Sequence, residues 1–259
     1  MELVLTRPEF FALMAMARAE GIVGLDPDLL LPSDSQQRQA LYDEGEQSLA
    51  QRDLLRINAA QEVELELNLL RLVLTITKPT HALITVKTIP EVGRQLFLYY
   101  GVDGSYVEQT LPTETSHRLA DVGDAAALCQ RLEAIFPLVP PNIPAQSFET
   151  DGRALMSAYG TAVDGRVTEA LAELDGLRDT DRQTAKRFLM AAESQEFSGS
   201  IAFIQIRLGE DNEASEIAIV SGAGENWLLI AGADSKIRAG AVSPADFDQV
   251  LRAVLIEAS

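Results

Sequence analysis

Ala82-Leu83-Ile84-Thr85-Val86-Lys87 and, 120 residues further on, Ala202-Phe203-Ile204-Gln205-Ile206-Arg207 open two runs of sequence that share one apolar rhythm. At that spacing Phe97-Leu98-Tyr99-Tyr100 falls on Ile217-Ala218-Ile219-Val220, Gly104 on Gly224, and Val107 on Trp227. Arg118 with Val122 falls on Arg238 with Val242, and both runs end in a helical pattern. Only six of the forty-seven positions from Ala82 to Leu128 are identical, so the order of apolar blocks carries the pairing, not the letters. The fold class this predicts is α+β: two units related by a pseudo-two-fold, each with helices, an antiparallel meander and a C-terminal helix. The two meanders can share one central sheet, with helices over one face and the ends.

Outward from these blocks, Pro8 to about Gly21 reads as a helix with proline in its first turn. Pro27 and Pro32 bracket a loop, and Ser33 or Asp34 caps a second helix through about Arg52. Leu54 to Ile57 is a short extended piece. A third helix runs from about Val63 to Thr77, although Val63-Glu64-Leu65 also alternates as a strand does. Strands are expected at about 81–89, 95–102, 105–111 and 116–121, with a hairpin at Gly101–Gly104. A helix from Asp124 to Phe136 closes the first unit, 1–137. The proline-rich stretch 138–150 reads as a stiff linker. The second unit, 151–259, repeats the plan: helices at about 151–159, 164–174 and 179–193, and strands at about 200–208, 214–220, 226–231 and 236–241. A last helix follows from Ser243-Pro244. The whole reads as one globular domain with an internal duplication.

With 39 acidic against 21 basic residues the net charge is −18, which disfavours nucleic acid and anionic membrane as partners because both need a basic footprint. The single cysteine, Cys129, excludes an internal disulfide and a cysteine zinc cage. No apolar run reaches the roughly 18 residues of a membrane span and no secretory leader is visible, so a cytoplasmic protein is expected.

Converging titratable groups are scarce. His81 and His117 each start a predicted strand without a ligand-spaced Cys, Asp or Glu, so no metal site is expected. Cys129 lies on the apolar side of its helix with Leu128 and Leu132, as a buried thiol does. No nucleophile elbow, phosphate loop or dinucleotide fingerprint is present, and neither a cofactor nor an enzyme activity is expected. A hydrolase or transferase working with carboxylates alone remains an alternative. So does a winged-helix regulator around Ser33–Ile57, whose Asp43, Glu44 and Glu46 outnumber Arg38 and Arg52. The strand aromatics Phe97, Tyr99, Tyr106 and Trp227 and the acidic loop Glu210-Asp211-Asn212 are the candidate partner-binding residues, because Tyr and Trp bring area at little entropic cost. The internal two-fold favours a monomer.

Three stretches resemble the EspG-type cytosolic chaperones of type VII secretion. Ser48-Leu49-Ala50-Gln51-Arg52-Asp53-Leu54-Leu55 is similar to that family's helix end, with Asp53 at a position the family fills with glycine. Ser198-Gly199-Ser200-Ile201 looks like the family's glycine-led strand opening. Ala241-Val242-Ser243-Pro244-Ala245-Asp246-Phe247 looks like its strand-to-helix ending. The resemblance implies a non-enzymatic protein that covers the apolar tip of a helical, secreted client. It also implies that the loops Pro90–Arg94 and Gly209–Ala214 lie close to that client.

Overall fold

The computed structural model describes the chain apart from Met1, 27–31, Ser33, Gln61, Glu114, 142–145, 208–211, Ala233 and 258–259. Pro27, the alternative cap Ser33, most of the acidic loop and part of the proline stretch therefore lie outside the described residues. The first unit contains β1 (Glu2–Thr6), α1 (Arg7–Met16), α2 (Ser35–Gln51), β2 (Leu55–Ile57), β3 (Val63–Leu65) and α3 (Leu67–Thr77). The meander β4 (His81–Ile89), β5 (Gly93–Val102), β6 (Ser105–Thr113), β7 (Ser116–Gly123) and the helix α4 (Ala125–Ile135) follow. The second unit contains β8 (Ser147–Asp151), α5 (Gly152–Val163), α6 (Val167–Glu173) and α7 (Asp179–Glu193). It ends with β9 (Gln195–Gln205), β10 (Glu213–Gly222), β11 (Glu225–Ala231), β12 (Lys236–Ala241) and α8 (Pro244–Glu257).

Ten strands form one antiparallel sheet in the order β1-β7-β6-β5-β4-β9-β10-β11-β12-β8, which reads the same from either end when units are exchanged. The two units meet at β4 and β9, where Thr85 pairs with Ile201. The outermost strands were absent from the sequence reading. Strand β1 pairs with β7 and β8 with β12, and β8 begins inside the stretch read as linker. Both lead directly into a capped helix: Thr6 accepts from the Glu9 amide, and Asp151 from the Arg153 and Ala154 amides. Such caps satisfy the free amides of a helix start and fix where it begins.

The spacing of 120 holds for three strands and fails for the fourth. Tyr100 faces Val107 as Val220 faces Trp227, so β5 and β6 keep it. His81, however, faces Gly101, whereas Phe197 and not Ile201 faces Ser221, Gly101's counterpart. Strand β9 is thus four residues out of step with the block alignment, and the difference is taken up by the longer connection from Gln205 to Glu213. The third helix starts at Leu67, not Val63, because Glu66 caps it by accepting from the Leu69 amide at 2.9 Å. Val63–Leu65 pairs with Leu55–Ile57 as a small ribbon.

Helices cover the sheet unequally. The groups α1–α3 and α5–α7 pack on one face, around Leu98, Tyr100 and Val107 in one half and Val220, Trp227 and Leu229 in the other. Helices α4 and α8 lie together on the opposite face over Leu83, Tyr99, Ile201, Phe203 and Leu228. Gly199 makes that contact possible, since a Cβ there would stand 2.6 Å from the Phe136 ring.

Two buried carboxylates brace the first unit. Glu9 accepts from the Thr6 amide, from the Ser48 hydroxyl at 2.8 Å and twice from Arg52, tying the end of α2 to the start of α1. Ser48 and Arg52 of the helix-ending motif therefore share one acceptor, and Asp53 after them sits at φ +57, the left-handed geometry glycine takes most easily. Glu108 accepts from Tyr99 and bidentately from Arg131 at 2.7 and 2.9 Å. Burial opposes ionisation of both acids, but these donors outweigh it and hold both below the ordinary glutamate range.

Candidate partner-binding surface

Where helices leave the sheet open decides what a partner can touch. Between α1–α3 and α5–α7 the central strands carry cross-strand pairs that are only half-buried: Ile84 with Ala202, Val86 with Ser200, and Thr88 with Ser198. Their neighbours on the other face, Leu83, Thr85, Ile201 and Phe203, are buried under α4 and α8. Small side chains in β9 keep the open strip shallow and smooth.

Each side of this strip is fixed by its own contacts. On the first-unit side the turn Ile22–Leu25 presses onto the sheet, and Tyr100 donates to the Val23 carbonyl at 2.9 Å. Gly24, at φ +82, is required there, because a Cβ would stand 2.7 Å from Leu98 and 3.2 Å from Ile84. On the second-unit side Tyr159 of α5 donates to Gln195, whose amide donates to the Ser198 hydroxyl at 3.0 Å. That chain ties the helical rim to the strip floor. Met156, 58% exposed, with Val163 continues along the outer face of α5. An uncharged floor of small and aliphatic side chains, with an adaptable methionine nearby, suits contact by shape.

The sequence-predicted residues fall elsewhere. Tyr99, Tyr106 and Trp227 are each 0% exposed, so they are core and not a gripping surface. The reason is that helices cover both faces of the outer strands, and an aromatic pointing either way is buried. Burying such a ring contributes roughly 2–3 kcal/mol to stability. Phe97 is half-buried against the α4–α8 core. Glu210 and Asp211 lie outside the described residues, and Asn212 is exposed and accepts from the Arg207 amide at 3.4 Å. The two loops expected near a client do not lie side by side. Thr88 pairs with Ser198 and His81 with Gln205, so the connection after β4 and the one after β9 stand at opposite ends of the strip. Val92 is exposed at the tip of the first. Sequence reading missed the strip itself, although Ser198, Ser200 and Ala202 were its signal: small residues at alternate positions of a central strand leave nothing large on the face they share.

Nothing in the strip titrates. His81 and His117 are buried in the first unit, and burial pushes the Cys129 thiol up. Among the described residues no three His, Cys, Asp or Glu side chains cluster as metal ligands, and no helix is long and apolar enough to cross a membrane.

No family model and no curated protein matches the chain by sequence. A solved structure of the Mycobacterium tuberculosis type VII secretion system chaperone EspG5, in complex with a PE25–PPE41 dimer, superposes with a TM-score of 0.68 at 12% identity. The match spans 98% of this chain and 96% of that one. The chain thus shares the fold of that chaperone from end to end.

Proposed function

We propose that the protein is a non-enzymatic, chaperone-like binding protein of the cytoplasm that covers the apolar end of a helical, secreted partner. The single observation that carries this reading is the full-length likeness to a chaperone solved with a bound protein dimer. The half-buried strip of β4 and β9 is the place we assign to the partner, since its uncharged floor of small and aliphatic side chains lies between two fixed rims. The acidic surface keeps such a complex soluble and leaves the uncharged strip as the place where contact is favourable. In this reading the chain acts as a monomer with one face given to its client.

Affinity purification of the chain from its native host, followed by mass spectrometry, tests the reading. The wild type should recover a stoichiometric helical protein. Ala202→Arg and Ser200→Arg, which put a charge on the strip floor, should lose that protein while keeping the far-UV circular dichroism of the wild type. Full recovery with both arginine variants, or no stoichiometric partner with the wild type, overturns it.

A further inference from the structure

Four residues of the first unit's ion network have counterparts in the second, and there they line a hole. Arg118 lies 3.0 Å from Glu2 and 3.6 Å from Glu108, and Arg131 lies on Glu108 at 2.7 Å. In the second unit Arg238 keeps the place of Arg118, Leu228 takes that of Glu108 and Ser147 that of Glu2. Val250 takes that of Arg131, for the two stand at the same step after their helix caps, Asp124 and Ser243. Leu228, Ser147, Arg238 and Val250 all line one cavity of about 270 Å³ between β11, β12 and α8. Arg118 and Arg238 are one of the six identities between the aligned runs, so both units carry the guanidinium, but neither Glu2 nor Glu108 has an acidic counterpart, and Glu149, across the strand from Arg238, pairs with Lys236 at 3.1 Å.

What remains for Arg238 is weak. Its Nε and Nη2 donate to the Ser147 hydroxyl at 3.3 and 3.1 Å, and among the described residues no carboxylate lies within ion-pair distance. A guanidinium fork matches the paired oxygens of a carboxylate or a phosphate, and the aliphatic side of the cavity favours the one that carries an apolar stem, a carboxylate. Leu228, Ile230, Val242 and Val250 make one side of the wall aliphatic, and the polar Gln146 stands beside Ser147 on the rest.

We infer that this cavity binds a carboxylate on a short aliphatic stem, with the carboxylate on Arg238 and the stem along Leu228, Ile230 and Val250. The ligand thereby restores the group that Glu108 supplies in the first unit. Such a carboxylate can be a free short-chain acid or the C-terminus of a polypeptide. The inference does not rest on the chaperone reading, and each can fail alone.

Titration calorimetry on the full chain tests it with hexanoate, with a short peptide ending in free leucine, and with the same peptide amidated. Binding of hexanoate assigns the site to free acids, and binding of the peptide acid alone assigns it to polypeptide C-termini; either supports the inference. Arg238→Gln, a change at an exposed residue, should weaken that binding about tenfold or more, the loss of a charge-assisted pair. Leu228→Glu should block it by returning the carboxylate that the first unit holds. Absence of binding by all three probes, equal binding of acid and amide, or binding untouched by Arg238→Gln overturns it.

Discussion

Glu108 and Leu228 stand at the same point of the same strand in two units of one plan, yet one anchors a buried ion network and the other walls a cavity. The contrast recurs. His117, buried in the first core, corresponds to Ile237 in the second, and the buried ionisable side chains Glu9, His81 and Glu108 lie in the first unit, whereas the second buries uncharged polar groups such as Ser221 and Asn226. Strand pairing, turns and caps repeat because backbone hydrogen bonds demand them whatever the side chains are. Side chains need only fill the space, so the two halves solve their cores differently. A symmetric frame thus carries two differently built cores.

The largest expected effect breaks the first unit's solution. Glu108→Ala leaves Arg131, Arg118 and the Tyr99 hydroxyl without their shared acceptor and should cost about 3 kcal/mol, the low end for a broken buried pair because Arg131 is partly exposed. The double variant Glu108→Leu with Arg131→Val moves toward the second unit and should regain part of that loss, the hydroxyl of Tyr99, whose counterpart is Ile219, still lacking its acceptor. Urea denaturation measures both. A double variant as unstable as the single one shows that the two cores are not interchangeable and ends the comparison.

Acid separates the units next. His117 stacks on Phe10 at 3.8 Å between ring centroids, and burial, helped by the charge of Arg7, lowers its pKa to about 4. An unfolded histidine takes up its proton near pH 6.5, so the unfolded chain binds more protons between 6.5 and 4. Stability therefore falls as pH drops through that window, by roughly 3 kcal/mol at most if this residue acts alone. Below the ordinary glutamate value of about 4.3, Glu9 and Glu108 add a further loss as they protonate in the fold. His117→Ile, which copies Ile237, should shrink the first phase, leaving the share of His81, whose pKa burial also lowers, and should leave the second unchanged. Thermal melts from pH 7 to 3.5 read the two phases, and an unchanged slope above pH 4.3 refutes the assignment to His117.

Much of this frame was legible in the chain. The strands around both hairpins show alternation bounded by turn residues, and those signals are local. Strand β9 was misplaced by four residues because a period of two cannot detect an even shift: every side chain keeps its face. Strands β1 and β8 were missed for another reason. Glu2–Thr6 becomes a strand only by pairing with Ser116–Ala120, a partner far along the chain that no window contains. The candidate site is the least legible part, since Tyr99, Tyr106 and Trp227, singled out as partner-binding candidates, are buried. Aromatic content is visible in sequence, but whether a helix covers it is not. The open strip announced itself by small residues, an absence of bulk that draws less notice than a tryptophan.

The smallest effect tests the most faithful part of the repeat, the turns. Asp103-Gly104 joins Val102 to Ser105, and Ala223-Gly224 joins Gly222 to Glu225. The first pair sits at φ +49 and +74 and the second at +51 and +70, so both are two-residue turns of the kind that matches strand twist. Aspartate tolerates that geometry through its short polar side chain, whereas alanine meets its full steric cost. Ala223→Gly should therefore stabilise the protein by about 0.5–1 kcal/mol, after allowing for the freedom glycine gains in the unfolded chain. Asp103→Gly should change stability by only about 0.3 kcal/mol. Chemical denaturation of the two variants side by side decides the matter. A loss of stability in Ala223→Gly means that the second turn is not held as the first is, and that the likeness between the units stops short of their hairpins.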